Sequence, residues 1–150
     1  MTATLEGTRE LSRQLAELGK ATSGRVLKAA VTEAMMPTYA QALATVPVGT
    51  QPHKTYKGRT VEPGFAQQSL RLKTWTGRDK TAATAMVGVA PEAYYALQFI
   101  ELGTSKFPAR PWLTPAFEAN KDRAVQEIAN QMRTRIERIA RRRAAKAASA

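Results

Sequence analysis

The segment Tyr94–Phe117, YYALQFIELGTSKFPARPWLTPAF, constrains the fold more than any other part of the sequence. It begins as an apolar run, reaches a glycine, passes two prolines and then resumes a helical pattern. Gly103 is typical of the residue that ends a helix. Phe107 and Arg110 each precede a proline, which biases both towards an extended backbone. We therefore predict that Gly103–Pro111, called the strap here, is a stiff connection presented between two helices.

The helix before the strap is apolar on nearly every side, which predicts that it is buried on every side. Glu101 and Arg110 are close enough in sequence to form an ion pair across the turn, and this pair would orient the strap. Gly103 would permit the turn itself. The alternative interpretation of the strap is a rigid corner between two helices that binds no partner.

Helical patterns occupy both ends of the chain. Leucines at positions 11, 15 and 18 predict a short helix that ends near Gly19. A second helix is predicted to begin at Thr22 or Ser23, and Pro37 in its middle predicts a kink or a division into two helices. Thr114 is the candidate cap of the last helix. The predicted apolar stripes are Leu27, Val31, Met35, Tyr39, Leu43 and Val46 in the second helix, and Phe117, Ala124, Ile128, Met132, Ile136 and Ile139 in the last.

Two segments with alternating apolar residues, Ser69–Thr76 and Thr81–Ala90, predict an antiparallel hairpin. Two strands alone are marginally stable, so helices must cover one face or another chain must extend the sheet. The predicted fold class is α+β. A small antiparallel sheet packs against N-terminal helices, a short buried central helix and a long C-terminal helix, all within a single domain over residues 1–150.

The segment Pro47–Gly64 contains six proline or glycine residues in 18 positions and is rich in basic side chains. We predict a long basic loop. Loops of this length inside a compact domain are usually functional or mobile. Tyr56 and Arg59 in this loop are candidate interface residues.

The basic residues are concentrated at the C-terminus. The net charge is +11. Residues 130–150 contain six arginines and one lysine against one glutamate, which gives +6 of that total. We predict that residues 141–150 form a projecting basic tail. Three interpretations remain open for it: a solvated helix end that suits the helix dipole, contact with DNA phosphates, or docking onto an acidic protein surface. The candidate contact residues are Arg138, Arg141, Arg142 and Arg143.

No residue pattern favours catalysis. The sequence has no cysteine, and its one histidine, His53, lies in the proline-rich loop without a second metal ligand or a nearby carboxylate. We therefore predict no enzyme activity, catalytic residue, metal, cofactor or small-molecule substrate. The N-terminus lacks the layout of a signal peptide, and no apolar run approaches the ~18 residues of a membrane span. An intracellular origin without membrane contact is the expectation.

The strap and its flanks resemble a known family, the tail-completion or head–tail joining proteins of long-tailed double-stranded DNA phages. In that family an aromatic helix leads into Glu-(Phe/Leu)-Gly-Thr, then a Pro-Ala-Arg-Pro strap, then a Pro-Ala helix start. The matching positions are Tyr94, Tyr95, Glu101, Gly103, Thr104, Pro108, Ala109, Arg110, Pro111, Pro115 and Ala116. Upstream, Val46–Thr50 and Phe65–Leu72 resemble the Ala-Pro-Val and Leu-x-x-Ser segments of the family. Residues 51–63 form an insertion between those segments.

The resemblance implies a structural virion protein at the head–tail junction, made in the bacterial cytoplasm. Its partners would be other neck or tail proteins and copies of itself in a ring, with non-specific contact with DNA as a further expectation. The predicted interface residues are Glu101, Gly103, Thr104, Lys106, Phe107, Pro108, Arg110 and Pro111, together with Tyr56 and Arg59. The resemblance leaves open a tail terminator, a head stopper or an adaptor. The alternative function is a nucleic-acid-binding protein that uses the arginine-rich C-terminal helix.

Overall fold

A computed structural model of the protein describes residues 8–55 and 57–149. Within these ranges the chain forms helices at both ends and two small antiparallel sheets, which confirms the predicted α+β class. The elements are α1 (Thr8–Glu17), α2 (Lys20–Thr45), β1 (His53–Lys54), β2 (Thr60–Val61), α3 (Phe65–Ser69), β3 (Leu70–Thr76), β4 (Ala83–Val89), α4 (Pro91–Leu102) and α5 (Leu113–Ala148).

The chain packs as two compact units. The first contains the described residues up to Ala34, Thr74–Ala85 and the residues from Asp122 onward. The second contains Met35–Lys73 and Met86–Lys121. Helices α2 and α5 and the β3–β4 hairpin each contribute one portion to each unit. The single domain over residues 1–150 stays a prediction.

The first unit has a core formed by three helices. Its buried residues are Leu18, Val26, Ala30, Ala129, Met132 and Ile136. Helix α1 ends before Gly19, whose φ of 81° reverses the chain as predicted. The Ser23 hydroxyl then donates to the Leu15 carbonyl over 2.5 Å and ties the start of α2 to α1. This contact keeps the two N-terminal helices in register where they pack on α5.

Helix α2 corrects three predictions. It begins at Lys20, before the predicted Thr22 or Ser23, and it runs through Pro37 without dividing into two helices. The predicted kink at Pro37 stays a prediction. Its buried positions along the stripe are Val26, Ala30, Ala34, Thr38 and Ala42, each one residue before a predicted position, and Val46 is buried just beyond the end of the helix. Three of them are alanines, whose small side chains let neighbouring backbones approach α2 closely. The larger apolar side chains of α2 therefore lie beside this buried face. In α5, Ala124, Met132 and Ile136 are buried as predicted, whereas Phe117 is exposed.

The second unit has its own core, built around the segment that opens α5. Its buried residues are Ala42, Val46, Leu70, Ala93, Leu97, Trp112 and Ala116. Trp112 is 3% exposed. Its indole N–H donates to the Leu97 carbonyl over 3.4 Å, and its own carbonyl accepts from the Thr45 hydroxyl over 2.9 Å. Trp112 thereby links α2, α4 and α5.

Helix α4 is buried on one face only, so the prediction that this helix is buried on every side is wrong. Ala93 and Leu97 lie in the core, with Ile100 packed against it. On the opposite face Tyr94, Tyr95, Phe99 and Leu102 are exposed. The second unit is too small to cover a helix from all directions, and large apolar side chains therefore remain on its surface.

Part of the predicted long loop forms a second sheet. Strands β1 and β2 pair antiparallel, with His53 opposite Val61 and Lys54 opposite Thr60. The chain reverses between Thr55 and Arg59, where Thr55 N–H donates to the Arg59 carbonyl over 2.8 Å. Two-residue strands have a weak alternation signal, which explains why the sequence pattern did not predict them.

The β3–β4 hairpin is confirmed with slightly shorter strands than predicted. Along β3, alternate residues are exposed, including Trp75, and along β4 Met86 is exposed. Helix α5 continues through Ala148, so the basic tail is helical and its side chains from Arg141 to Ser149 are exposed. No helix in the described part of the chain is long and apolar enough to cross a membrane.

The one-sided burial of α4 predicts that truncation of two leucines of this helix changes the free energy of unfolding by very different amounts. Leu97 is 3% exposed and Leu102 is 68% exposed. Leu97→Ala should lower the free energy of unfolding by about 2–5 kcal/mol through lost burial and a cavity. Leu102→Ala, the matched control, should change it by less than about 0.5 kcal/mol. Urea titrations followed by circular dichroism measure both, and equal losses would contradict the burial pattern.

Candidate functional site

The strap is anchored by the carboxylate of Glu101, which caps the start of α5. One carboxylate oxygen accepts from the backbone N–H of Trp112 over 2.7 Å and of Leu113 over 2.9 Å. The other accepts from the backbone N–H of Thr114 over 2.9 Å. The first backbone amides of a helix have no partner within the helix, and a negative charge is favourable there. Glu101 therefore replaces the predicted cap, Thr114, and α5 begins one residue before Thr114.

The environment of Glu101 lowers the pKa of its carboxyl group below the usual value of 4.5. Partial burial acts in the opposite direction, because it disfavours the charged form. The hydrogen bonds from Leu113, Thr114 and Trp112 stabilise the charge and outweigh burial. The native state consequently holds Glu101 ionised over a wider pH range than the unfolded chain does.

The predicted ion pair between Glu101 and Arg110 is wrong, because the carboxylate is occupied by the backbone of α5. The Arg110 guanidinium lies instead over the ring of Phe107, 5.9 Å from its centre. The backbone N–H of Arg110 donates to the Ile100 carbonyl over 2.7 Å and holds the strap against the end of α4. The strap is thus oriented through its backbone, and the Arg110 side chain is exposed.

Gly103 permits the turn, as predicted, for two separate reasons. Its φ of 74° and ψ of 177° lie in a region that is essentially restricted to glycine. In addition, a Cβ atom at this position would lie 2.7 Å from the Ala109 nitrogen and 3.0 Å from the Phe107 oxygen. Since both neighbours are backbone atoms of the strap, no side chain can move aside to make room.

The strap is not one extended run. Thr104 and Phe107 face each other across a tight turn, where Thr104 N–H donates to the Phe107 carbonyl over 2.8 Å and Phe107 N–H donates back over 3.2 Å. This turn projects Lys106 and Phe107. The predicted interface residues Thr104, Lys106, Phe107, Pro108, Arg110 and Pro111 are all exposed, whereas Glu101 and Gly103 are half-buried supports.

An apolar surface lies beside the strap. We call Tyr95, Phe99 and Leu102 the α4 stripe, because their spacings of four and three residues place them on one face of α4. Their exposed fractions are 55%, 53% and 68%. The rings of Tyr95 and Phe99 lie 6.5 Å apart between centres, and Phe107 of the strap is 57% exposed. Surface of this kind marks an interaction site more often than an isolated exposed leucine does.

The segment 51–63, predicted to be an insertion, borders the other end of the same helix. Arg59 and Lys57 line a cleft of about 500 Å³ together with Tyr94 and Tyr95 near the start of α4. The structure therefore brings Arg59 next to α4, which also carries the strap at its C-terminal end. The prediction for Tyr56 lies outside the described residues.

The basic side chains of α5 separate into two groups. Four of these nine residues line a groove of about 420 Å³ between the start of α2 and the end of α5, called the arginine groove here. Its lining residues are Thr22, Arg25, Val26, Arg135, Arg138, Ile139, Arg142 and Arg143. Arg141, one of the predicted contact residues, lies outside the groove and forms an exposed ion pair with Glu137 at 3.9 Å.

Two of the groove arginines have partners within the protein. Arg135 forms an ion pair and hydrogen bond with Glu33 of α2. Arg143 donates from Nη2 to the Leu18 carbonyl over 3.1 Å. Among the described residues, no carboxylate lies within ion-pairing distance of Arg25, Arg138 or Arg142. These three guanidinium groups remain available for an anion.

The sequence pattern missed three residues at these sites. Phe99 and Leu102 were expected in the core, because an apolar helix gives no sign of which face is left uncovered. Nothing in the sequence groups Arg25 with the C-terminal arginines. Its position in the first turns of α2 places it on a helix end, but only the packing of α2 on α5 brings it to the groove.

No group of acidic, histidine or cysteine residues in the described ranges could hold a metal ion. Comparisons with protein-family models, curated proteins and solved structures find no match to this chain.

Replacing the Glu101 carboxylate should destabilise the protein in a pH-dependent way. Glu101→Gln removes the charge and one acceptor, so we expect a loss of about 1.5–3 kcal/mol in the free energy of unfolding at neutral pH. Because the native pKa is lowered, the contribution of Glu101 is complete above the unfolded value of 4.5 and is lost as pH falls through the native pKa. The difference between wild type and variant should therefore shrink in acid.

Urea titrations at several pH values measure this difference. Glu62→Gln, which removes the same charge from an exposed loop position, is the matched control and should change stability by less than about 0.5 kcal/mol. A loss for Glu101→Gln that stays constant down to the lowest pH would contradict the role of the ionised carboxylate.

Gly103→Ala should destabilise the protein by about 2–4 kcal/mol, because backbone strain and a steric clash act together. Gly58→Ala is the matched control: Gly58 has a φ of 79°, but a Cβ there meets nothing within 4 Å. It should cost only the conformational strain, about 1 kcal/mol. Thermal unfolding of both variants gives the comparison, and equal costs would rule out the close approach of the strap backbone.

Proposed function

We propose that this protein is a structural component of the neck of a long-tailed phage, where it completes the tail or joins it to the head through a ring of copies. The resemblance of residues 94–117 to the tail-completion family supports this proposal. The observation that carries it is the exposed apolar surface formed by the α4 stripe and Phe107. A protein that works by assembly needs such a surface, whereas an isolated monomer gains nothing from it.

The energetics of the surface favour assembly. Aromatic side chains contribute much of the binding energy at protein interfaces, and they lose little conformational freedom when they are buried. The strap is also held before any partner arrives, by the Glu101 carboxylate, the Gly103 backbone and the Arg110–Ile100 hydrogen bond. A preorganised surface pays a smaller entropic cost on binding.

A ring of identical copies requires two different surfaces on each copy, because its contacts are head-to-tail. The α4 stripe with the strap supplies one. The β3–β4 hairpin offers the second, since the described sheet has only two strands and their outer edges are open to a strand from a neighbour. Trp75 and Met86 add exposed apolar area to the hairpin.

Electron microscopy of particles made by a phage with this gene inactivated tests the function. Filled heads beside separate tails, or tails of abnormal length, are the expected products. The defective half of the particle would distinguish a tail terminator, a head stopper and an adaptor. Normal infectious particles would overturn the proposal.

Complementation tests the surface itself. The wild-type gene should restore joined particles, whereas Phe99→Glu should restore fewer than about one in ten, because a charge at the centre of an apolar contact costs several kcal/mol. Met36→Glu, at a position that is 48% exposed on α2, is the matched control and should restore them fully. Circular dichroism of both purified proteins checks that each folds. Full complementation by folded Phe99→Glu would remove the α4 stripe from the interface.

A further inference from the structure

The arginine groove has a composition unlike that of its neighbour on the same unit. The neighbouring cleft, between α1 and α5, is lined by Glu10, Glu17 and Glu137 as well as by Arg133 and Arg143. Its two arginines therefore have carboxylates beside them in the same cleft. The arginine groove is lined by five arginines, and no carboxylate is among the described residues that line it. Glu33 compensates Arg135, but the other four guanidinium groups have no carboxylate partner among the described residues. Like charges without a partner repel one another, so an anion that enters the groove is stabilised.

The arrangement of the arginines fits an extended anion. Arg138 and Arg142 are four residues apart and lie on one face of α5. They span about 6 Å of helix, which is close to the axial rise of two nucleotides in one DNA strand. Arg25 approaches the groove from α2. Arginines from two helices thus border the groove.

The type of cation and the groove floor favour phosphate. A guanidinium group donates two parallel hydrogen bonds to a phosphate and loses less hydration than an ammonium group. All five basic residues of the groove are arginines. Val26 and Ile139 also line the groove and add apolar surface suited to the sugar that separates successive phosphates.

We propose that the arginine groove binds the phosphate backbone of DNA without reading its sequence, through Arg25, Arg138 and Arg142. Arg135 supports the site through its ion pair with Glu33 and makes no independent phosphate contact. Arg141, which pairs with Glu137, lies outside the site. The groove is independent of the α4 stripe, so the site does not depend on the neck function proposed above.

The test measures binding of the full chain to a fluorescent DNA duplex of random sequence by anisotropy at several salt concentrations. Three phosphate contacts predict a slope of about −2.7 for the logarithm of the association constant against the logarithm of salt concentration. Binding should weaken about 40-fold when salt rises from about 50 to about 200 mM. The variant Arg25→Ala/Arg138→Ala/Arg142→Ala should lose nearly all of this salt dependence.

The matched control is Arg9→Ala/Arg78→Ala/Arg123→Ala, which removes the same charge from three exposed positions outside the groove. It should bind DNA within about threefold of wild type. All six positions are exposed, so both variants should fold, and circular dichroism verifies this. A control variant that loses binding as strongly as the groove variant would show that net charge alone drives the binding, and would overturn the site.

Two further outcomes overturn the proposal. The first is an absence of DNA binding by the wild-type chain at low salt. The second is binding of fluorescent poly-glutamate with an affinity equal to or above that for the duplex, which would assign the groove to an acidic protein.

The variant Arg25→Lys/Arg138→Lys/Arg142→Lys keeps the charge of the groove. It should bind the duplex several-fold more weakly than wild type, because lysine cannot form the paired hydrogen bonds.

Discussion

The second unit of the structure depends on one carboxylate. Glu101, in the last turn of α4, accepts hydrogen bonds from three successive backbone amides at the start of α5. This interaction fixes the end of one helix to the beginning of the next, and the ten residues between α4 and α5 must close the turn. Gly103 makes that closure sterically feasible. Trp112, which supplies the first of the three capped amides, buries its side chain in the core. The exposed strap is the consequence of these fixed ends.

The sequence predicted the elements of the fold better than their contacts. Gly19 and Gly103 marked helix ends because few other residues adopt a positive φ, and alternation marked the hairpin because side chains on a strand alternate between its faces. The buried face of α2 was misplaced by about one residue, since alanine carries a weak hydrophobic signal and yet permits the closest helix packing. The prediction that α4 is fully buried was wrong. The apolar pattern identifies a helix, but it does not show how many neighbouring elements pack against that helix.

In the candidate site, too, the sequence predicted the segment better than its contacts. The strap was correctly identified as an exposed segment held between two helices, because the residue types in it restrict the backbone locally. The predicted partner of Glu101, which anchors the strap, was wrong. A carboxylate close to an arginine in sequence suggests an ion pair, but the unpaired backbone amides at the start of α5 compete for the same oxygens. Hydrogen bonds from three preorganised amides outweigh one solvent-exposed ion pair, which is worth ~0–1 kcal/mol. Arg25 could not be assigned to the groove from sequence, because this depends on which helices pack together.

The apolar surface and the arginine groove belong to different units and depend on different forces. Burial of the α4 stripe against a partner would be driven by the hydrophobic effect, which added salt does not screen. The proposed DNA binding in the groove would be driven by the release of counterions and would be weakened steeply by salt. Because Phe99 and Leu102 carry no charge, salt concentration should separate the two proposed activities in the intact chain. If the protein assembles at high salt and releases DNA under the same conditions, both proposals are supported. Neither of them requires coupling between the two units.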